Sequence, residues 1–163
     1  MLQQITDKID TNIFSFYSDL KDQTIGGGTI PPDILVTAEK PDIVIIDRRV
    51  AHISGKPTVI IIELTCPWEE RLEIARDLKS NKYSSLIHDI QATGHEVIFY
   101  PVEVGVRGII NKVNKSTIRD ICDYFCAQTT ASKLTKDISR EAVTSSYHIF
   151  LNRNDKDWNN NFL

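Results

Sequence analysis

At 163 residues, 41% of them hydrophobic, the chain is long enough for one globular core and too short for two full domains. A net charge of −3 and an isoelectric point near 5.8 exclude a strongly basic, charge-driven nucleic-acid binder. No stretch approaches the roughly 20 apolar residues of a membrane span, and no basic-then-apolar run marks the N-terminus as a secretory signal, so a soluble intracellular protein is expected.

Ile5, Ile9, Ile13, Phe16 and Leu20 recur at spacings of three and four, which predicts an amphipathic helix from Leu2 to about Leu20. Gly26-Gly27-Gly28 and then Pro31-Pro32 break the pattern. The triple glycine lacks the Gly-Lys-Ser/Thr ending of a phosphate loop and reads as a connector. Residues 1–28 therefore form a helix and connector, 29–130 the core, and 131–163 a last helix and tail.

Two β-branched runs follow, Asp42–Asp47 and Thr58–Thr65, separated by the turn signature Ser54-Gly55-Lys56-Pro57. They predict a β-hairpin buried on both faces, because the apolar residues run on without alternating. A long helix is expected from about Pro67-Trp68 to Gly94, where Pro and acids suit its first turn and Gly its stop. Glu96–Val104 reads as a third strand, and helices are expected over Ser116–Gln128 and Thr135–Asn152. The fold class is α/β (α+β): a mixed central sheet containing a hairpin, flanked by helices. Cys66, Cys122 and Cys126 show no zinc spacing and read as free thiols in a reducing compartment.

Chemistry is expected where buried strands carry acids. Asp42 opens one strand and Glu63 lies inside the next, after an unbroken apolar run. An unpaired carboxylate there is costly, and a hairpin can bring the two acids to one face. Two carboxylates on rigid strands suit a hard divalent cation. On the following helix, Leu72, Ala75, Leu86 and Ile90 define an apolar arc that also holds Lys79 and Lys82, with Tyr83 at its edge. If this arc packs on the hairpin, a lysine ammonium stands near the two acids.

Lys40-Pro41-Asp42, Glu63-Leu64-Thr65 and Lys82-Tyr83, in that order, resemble the restriction-like endonuclease domain of the PD-(D/E)xK superfamily. That domain occurs in site-specific non-LTR retrotransposons and in open reading frames next to reverse transcriptases. The likeness extends to Thr29-Ile30-Pro31-Pro32, to Cys66-Pro67-Trp68-Glu69-Glu70, to Pro101 through Gly108, and more weakly to the last helix. The resemblance implies a restriction-endonuclease-like core that cleaves target DNA with Mg²⁺ or Mn²⁺, bound by Asp42, Glu63 and the main-chain carbonyl of Leu64. It also implies a DNA partner, a nuclear location, and a setting beside a reverse transcriptase in a larger polyprotein. The superfamily usually places its lysine where Thr65 stands; the resemblance transfers that role to the helix, to Lys82 or to Lys79 one turn earlier. Glu103 and Arg107 follow as secondary candidates, for a metal or water contact and for phosphate, with structural ion pairs as the equal alternative. Two other readings stay open: an inactive nuclease fold retained for DNA or protein binding, and a homodimeric nuclease for branched DNA, like a Holliday-junction resolvase.

Overall fold

A computed structural model describes residues 13–18, 30–49, 55–125 and 129–154. In chain order these form strand β1 (Phe14–Ser18), β2 (Ile43–Asp47), β3 (Thr58–Thr65), a 3₁₀ turn (Glu69–Arg71), helix α1 (Leu72–Ala92), β4 (Val97–Glu103), α2 (Lys112–Tyr124) and α3 (Ala131–Asn152).

The strands make one four-stranded sheet in the order β1-β2-β3-β4, with β1/β2 and β2/β3 antiparallel and β3/β4 parallel. The expected hairpin is present, with Ile43 opposite Ile62 and Asp47 opposite Thr58. Every residue of β2 is buried, as are the first six of β3, because helices cover both faces. Each fully buried Ile or Val here contributes about 1.5–3 kcal/mol. The parallel β3/β4 pair needs a crossover, which α1 supplies.

The side-chain alternation of the strands sorts the core into two layers. Val44, Ile46, Val59 and Ile61 face α1, where Tyr83, Leu86 and Ile90 meet them along with Ile30 and Ile34 from the segment after the Pro-Pro break. Ile43, Ile45, Ile60, Ile62, Val102 and Val104 face α2 and α3, against Ile118, Ile121, Phe125 and Leu134.

The helix expected from Leu2 to Leu20 is corrected by the structure: Phe14–Ser18 is a strand. Phe14, Phe16 and Ser18 alternate inward while Ser15 and Tyr17 are half-buried, and all five residues pair along β2. The aromatic pair suits a pleated surface better than a helix. Residues 14–18 therefore belong to the core sheet; Ile5, Ile9, Leu20 and the triple glycine lie outside the described residues. Helix α2 begins before Ser116, at an Asn111 cap whose side chain accepts the Asn114 N–H. Helix α3 begins before Thr135, with Thr130 as its cap. Gly94 stops α1 at φ +89°, as expected. Of the thiols, Cys122 is buried and Cys66 exposed; Cys126 lies outside the described residues.

Candidate active site

The antiparallel register that pairs Ile43 with Ile62 places Asp42 opposite Glu63 at the open end of the hairpin. The two residues clasp each other. The Asp42 N–H donates to Glu63 Oε2 at 3.1 Å, and the Leu64 N–H donates to Asp42 Oδ2 at 2.8 Å. A strand residue directs its N–H and carbonyl to the same lateral edge, so the Leu64 carbonyl also faces the gap left where β2 begins. Both carboxylates belong to the sheet face that α1 covers, since Asp42 shares the parity of Val44 and Glu63 that of Ile61.

Glu63 is 2% exposed and forms an ion pair through Oε1 with Lys79 Nζ. Its other neighbour on α1 is the hydroxyl of Tyr83, which is fully buried and packs on Phe99. Burial, followed by the charge of Glu63, holds the Tyr83 phenol well above its ordinary range. Lys82 is exposed and donates to Tyr83 Oη at 3.0 Å, its ammonium 4.6 Å from that ring. The two lysines are thus separated by geometry. Lys79 touches a carboxylate directly, and Lys82 bonds the Tyr83 hydroxyl instead. Tyr83, expected at the edge of the apolar arc, is fully buried.

Asp42 is only half-buried, yet its carboxyl is pushed above the ordinary 3.8. Burial is the largest cause and the charge of Glu63 adds to it; the Leu64 N–H, Lys79 and Lys82 oppose them. Asp42 is thus a carboxylate with fewer donors than its surroundings demand. Thr65 buries a hydroxyl that makes no hydrogen bond.

The secondary candidates are tied into ion pairs. Arg107 donates to Glu69 through its main-chain N–H at 2.7 Å and its Nε at 3.0 Å. Glu103 is 1% exposed and lies beside Thr65 in the β3/β4 register, on the same sheet face as Glu63. Its Oε2 is 3.0 Å from Arg76 Nη2, within ion-pair range though not in hydrogen-bond geometry. Burial pushes the Glu103 carboxyl up and Arg76 opposes that shift. Arg76 also donates to the Pro101 carbonyl at 3.0 Å and to Asn114 Oδ1 at 2.7 Å. Sequence reasoning missed Arg76 and Asn114. For Arg76 a signal existed: it lies three residues before Lys79, on one helix face.

Among the described residues no group of three or more His, Cys, Asp or Glu side chains could hold a metal. The available donors are two carboxylates and one main-chain carbonyl, all oxygen. That set fits a hard cation that keeps several waters, such as Mg²⁺ or Mn²⁺, and does not fit the nitrogen- and sulfur-rich shell of structural zinc. A groove of about 1160 Å³ adjoins the strand end at Leu64 and Thr65, but its apolar floor of Val102, Val104 and Ile138 belongs to the opposite sheet face, with Asp137, Glu141 and Arg153 among its walls. No described helix is long and apolar enough to cross a membrane. No family model, curated protein or solved structure matches the chain.

Proposed function

We propose that this chain is a metal-dependent endonuclease domain with a restriction-endonuclease-like core, hydrolysing phosphodiester bonds of DNA at the Asp42–Glu63–Lys79 cluster. The observation that carries the reading is the meeting, on rigid strands, of an under-served Asp42 and a buried Glu63 beneath a lysine from the helix above. Asp42 and Glu63, with the Leu64 carbonyl, would hold Mg²⁺ or Mn²⁺. The bound ion supplies Lewis acidity toward phosphate and water.

The chain's own residues do the rest. Tyr83, fully buried beside Glu63, walls the carboxylate off from solvent. Lys79 stands with its ammonium at the carboxylate pair, where it offsets charge that builds on a phosphate oxygen during attack. Lys82, exposed and held on Tyr83, is placed to meet the DNA backbone as a point charge. The partner remains DNA, and a reverse-transcriptase region in a larger polyprotein is part of the same proposal.

The test is cleavage of plasmid DNA in Mg²⁺ by wild type, Glu63→Ala and Lys79→Met. Glu63→Ala is expected to abolish cleavage with the fold retained, and Lys79→Met to lower the rate about 100-fold or more. A Glu63→Ala protein that cuts at the wild-type rate refutes the assignment.

A second reading draws on Thr65 and on the net charge of −3: a nuclease fold kept as a binding module. Calorimetric titration with Mg²⁺, with and without DNA, separates the two. Heat that disappears in Asp42→Asn supports the nuclease, and no heat in wild type supports the module.

A further inference from the structure

We propose that Arg76, Glu103 and Asn114 form a positioning unit that seats Lys79 on Glu63. This inference rests on the reading of the Asp42–Glu63–Lys79 cluster as the reacting centre, and it gives Glu103 the role of counter-charge to Arg76 in place of a metal or water contact.

Strand β4 ends the described sheet, so its outer edge needs partners that no strand there supplies. The Val104 N–H points inward to the Thr65 carbonyl at 2.9 Å, so by alternation the Pro101 carbonyl and Glu103 N–H point outward. Two side chains from different helices meet them. Arg76 of α1 donates to the Pro101 carbonyl, and Asn114 of α2 accepts the Glu103 N–H at 3.0 Å. Asn114 is fully buried, and Asn111 Oδ1 accepts both its main-chain N–H at 2.9 Å and its Nδ2 at 3.0 Å. That contact turns the Asn114 carbonyl oxygen toward Glu103 N–H and Arg76 and leaves no freedom for an amide flip. The Glu103 carboxylate completes the unit as the buried counter-charge for Arg76.

The consequence falls on Lys79. Arg76 and Lys79 are three residues apart on α1 and face the same row of acids. Pro101, which Arg76 grips, is the register partner of Glu63. A lysine stem is flexible and carries a point charge, whereas the rigid, planar guanidinium of Arg76 meets the Pro101 carbonyl, Asn114 Oδ1 and the Glu103 carboxylate together at Nη2. Arg76 therefore sets the height and rotation of the helix turn above Glu63, and Lys79 takes its place from that turn. Without these guanidinium contacts, the helix keeps its apolar contacts at Leu86 and Ile90 but the ammonium spreads away from Glu63.

The test reads Lys79 directly. In protein labelled at lysine, the Lys79 Nζ and Cε resonances are recorded in wild type, Glu63→Gln, Arg76→Met and the double variant. Glu63→Gln is expected to move the Lys79 signals, and that displacement should fall to about half or less in the Arg76→Met background. An undiminished displacement overturns the proposal, as does a wild-type signal indifferent to Glu63→Gln. Arg76→Lys, which keeps the charge and loses the fork, gives the same readout if Arg76→Met fails to fold. In cleavage assays Arg76→Lys and Glu103→Gln should lower kcat about 10- to 100-fold with KM within about twofold; equal losses in KM would mark a merely structural role. A wild-type protein that does not cleave refutes the nuclease reading, and the resonance measurement still decides this one.

Discussion

Strand β2 is preceded by Asp42 and closed by Asp47, and the protein treats the two aspartates in opposite ways. Asp47 closes the strand at 1% exposure. It accepts the Arg49 main-chain N–H at 2.8 Å, the Arg49 guanidinium at 2.7 Å and the Tyr124 hydroxyl at 2.6 Å. Burial works against its charge, but those donors outweigh burial and its pKa lies below the ordinary value. Tyr124, pushed up to about 12 by burial and then by Asp47, stays a donor throughout the physiological range. Asp42 at the other end accepts one main-chain N–H, has Glu63 beside it, and shifts upward. A buried carboxylate is therefore not in itself a sign of function. A shortage of donors is the better sign, because a ligand can supply what the fold withholds.

Arg49→Met should show the largest effect on folding, lowering the unfolding free energy by about 3 kcal/mol in urea denaturation. It leaves Asp47 buried without its cation and removes a guanidinium lying 4.8 Å from the Phe14 and Tyr124 rings. A cost below about 1 kcal/mol would mean that Asp47 is not the closed knot its geometry describes. Tyr124→Phe comes next, at about 1.5–2 kcal/mol for one hydrogen bond to a charged oxygen. Asp42→Asn should change stability by less than about 1 kcal/mol while abolishing the Mg²⁺ heat in calorimetry. Should Asp42→Asn destabilise as much as Arg49→Met, the contrast between the two ends collapses.

Much of this was legible in the sequence, for reasons that differ by element. Strands β2 and β3 announced themselves because a strand covered on both faces is apolar without interruption, and Gly94 marked the stop of α1 through its positive φ. Strand β1 was hidden by coincidence. Ile13, Phe16 and Leu20 satisfy a spacing of three and four, while the inward set Phe14, Phe16, Ser18 satisfies a period of two. In so short a stretch only the pairing with β2 decides between them. Asp42 and Glu63 could be found because acids are conspicuous against buried apolar strands. The lysine could not be chosen, since Lys79 and Lys82 lie on neighbouring rows of one helix, and what separates them is that Lys79 pairs with Glu63 while Lys82 bonds the Tyr83 hydroxyl. The roles of Arg76 and Asn114 were beyond a side-chain pattern, because their partners include a main-chain carbonyl and N–H on a strand edge.

The smallest expected effect is also the one whose sign separates the two aspartates. Asp47 titrates below 3.8 in the folded protein, so its stabilisation is complete above that value and is lost as pH falls through the folded pKa. Asp42 titrates above 3.8. There the native protein holds a proton that the unfolded chain has released, so stability declines as pH rises from 3.8 through the folded pKa, then levels off. Asn cannot titrate, so the gain in unfolding free energy of Asp42→Asn over wild type should grow across that window and stay constant above it. The groups facing Asp42 are Glu63, Lys79 and Lys82. The whole effect should stay under about 1 kcal/mol, since Asp42 is half open to solvent. Urea melts of both proteins from about pH 4 to about pH 7, with divalent ions chelated, measure it. A flat or falling difference would mean that Asp42 is as well supplied with donors as Asp47, and the reason for placing a cation there would go with it.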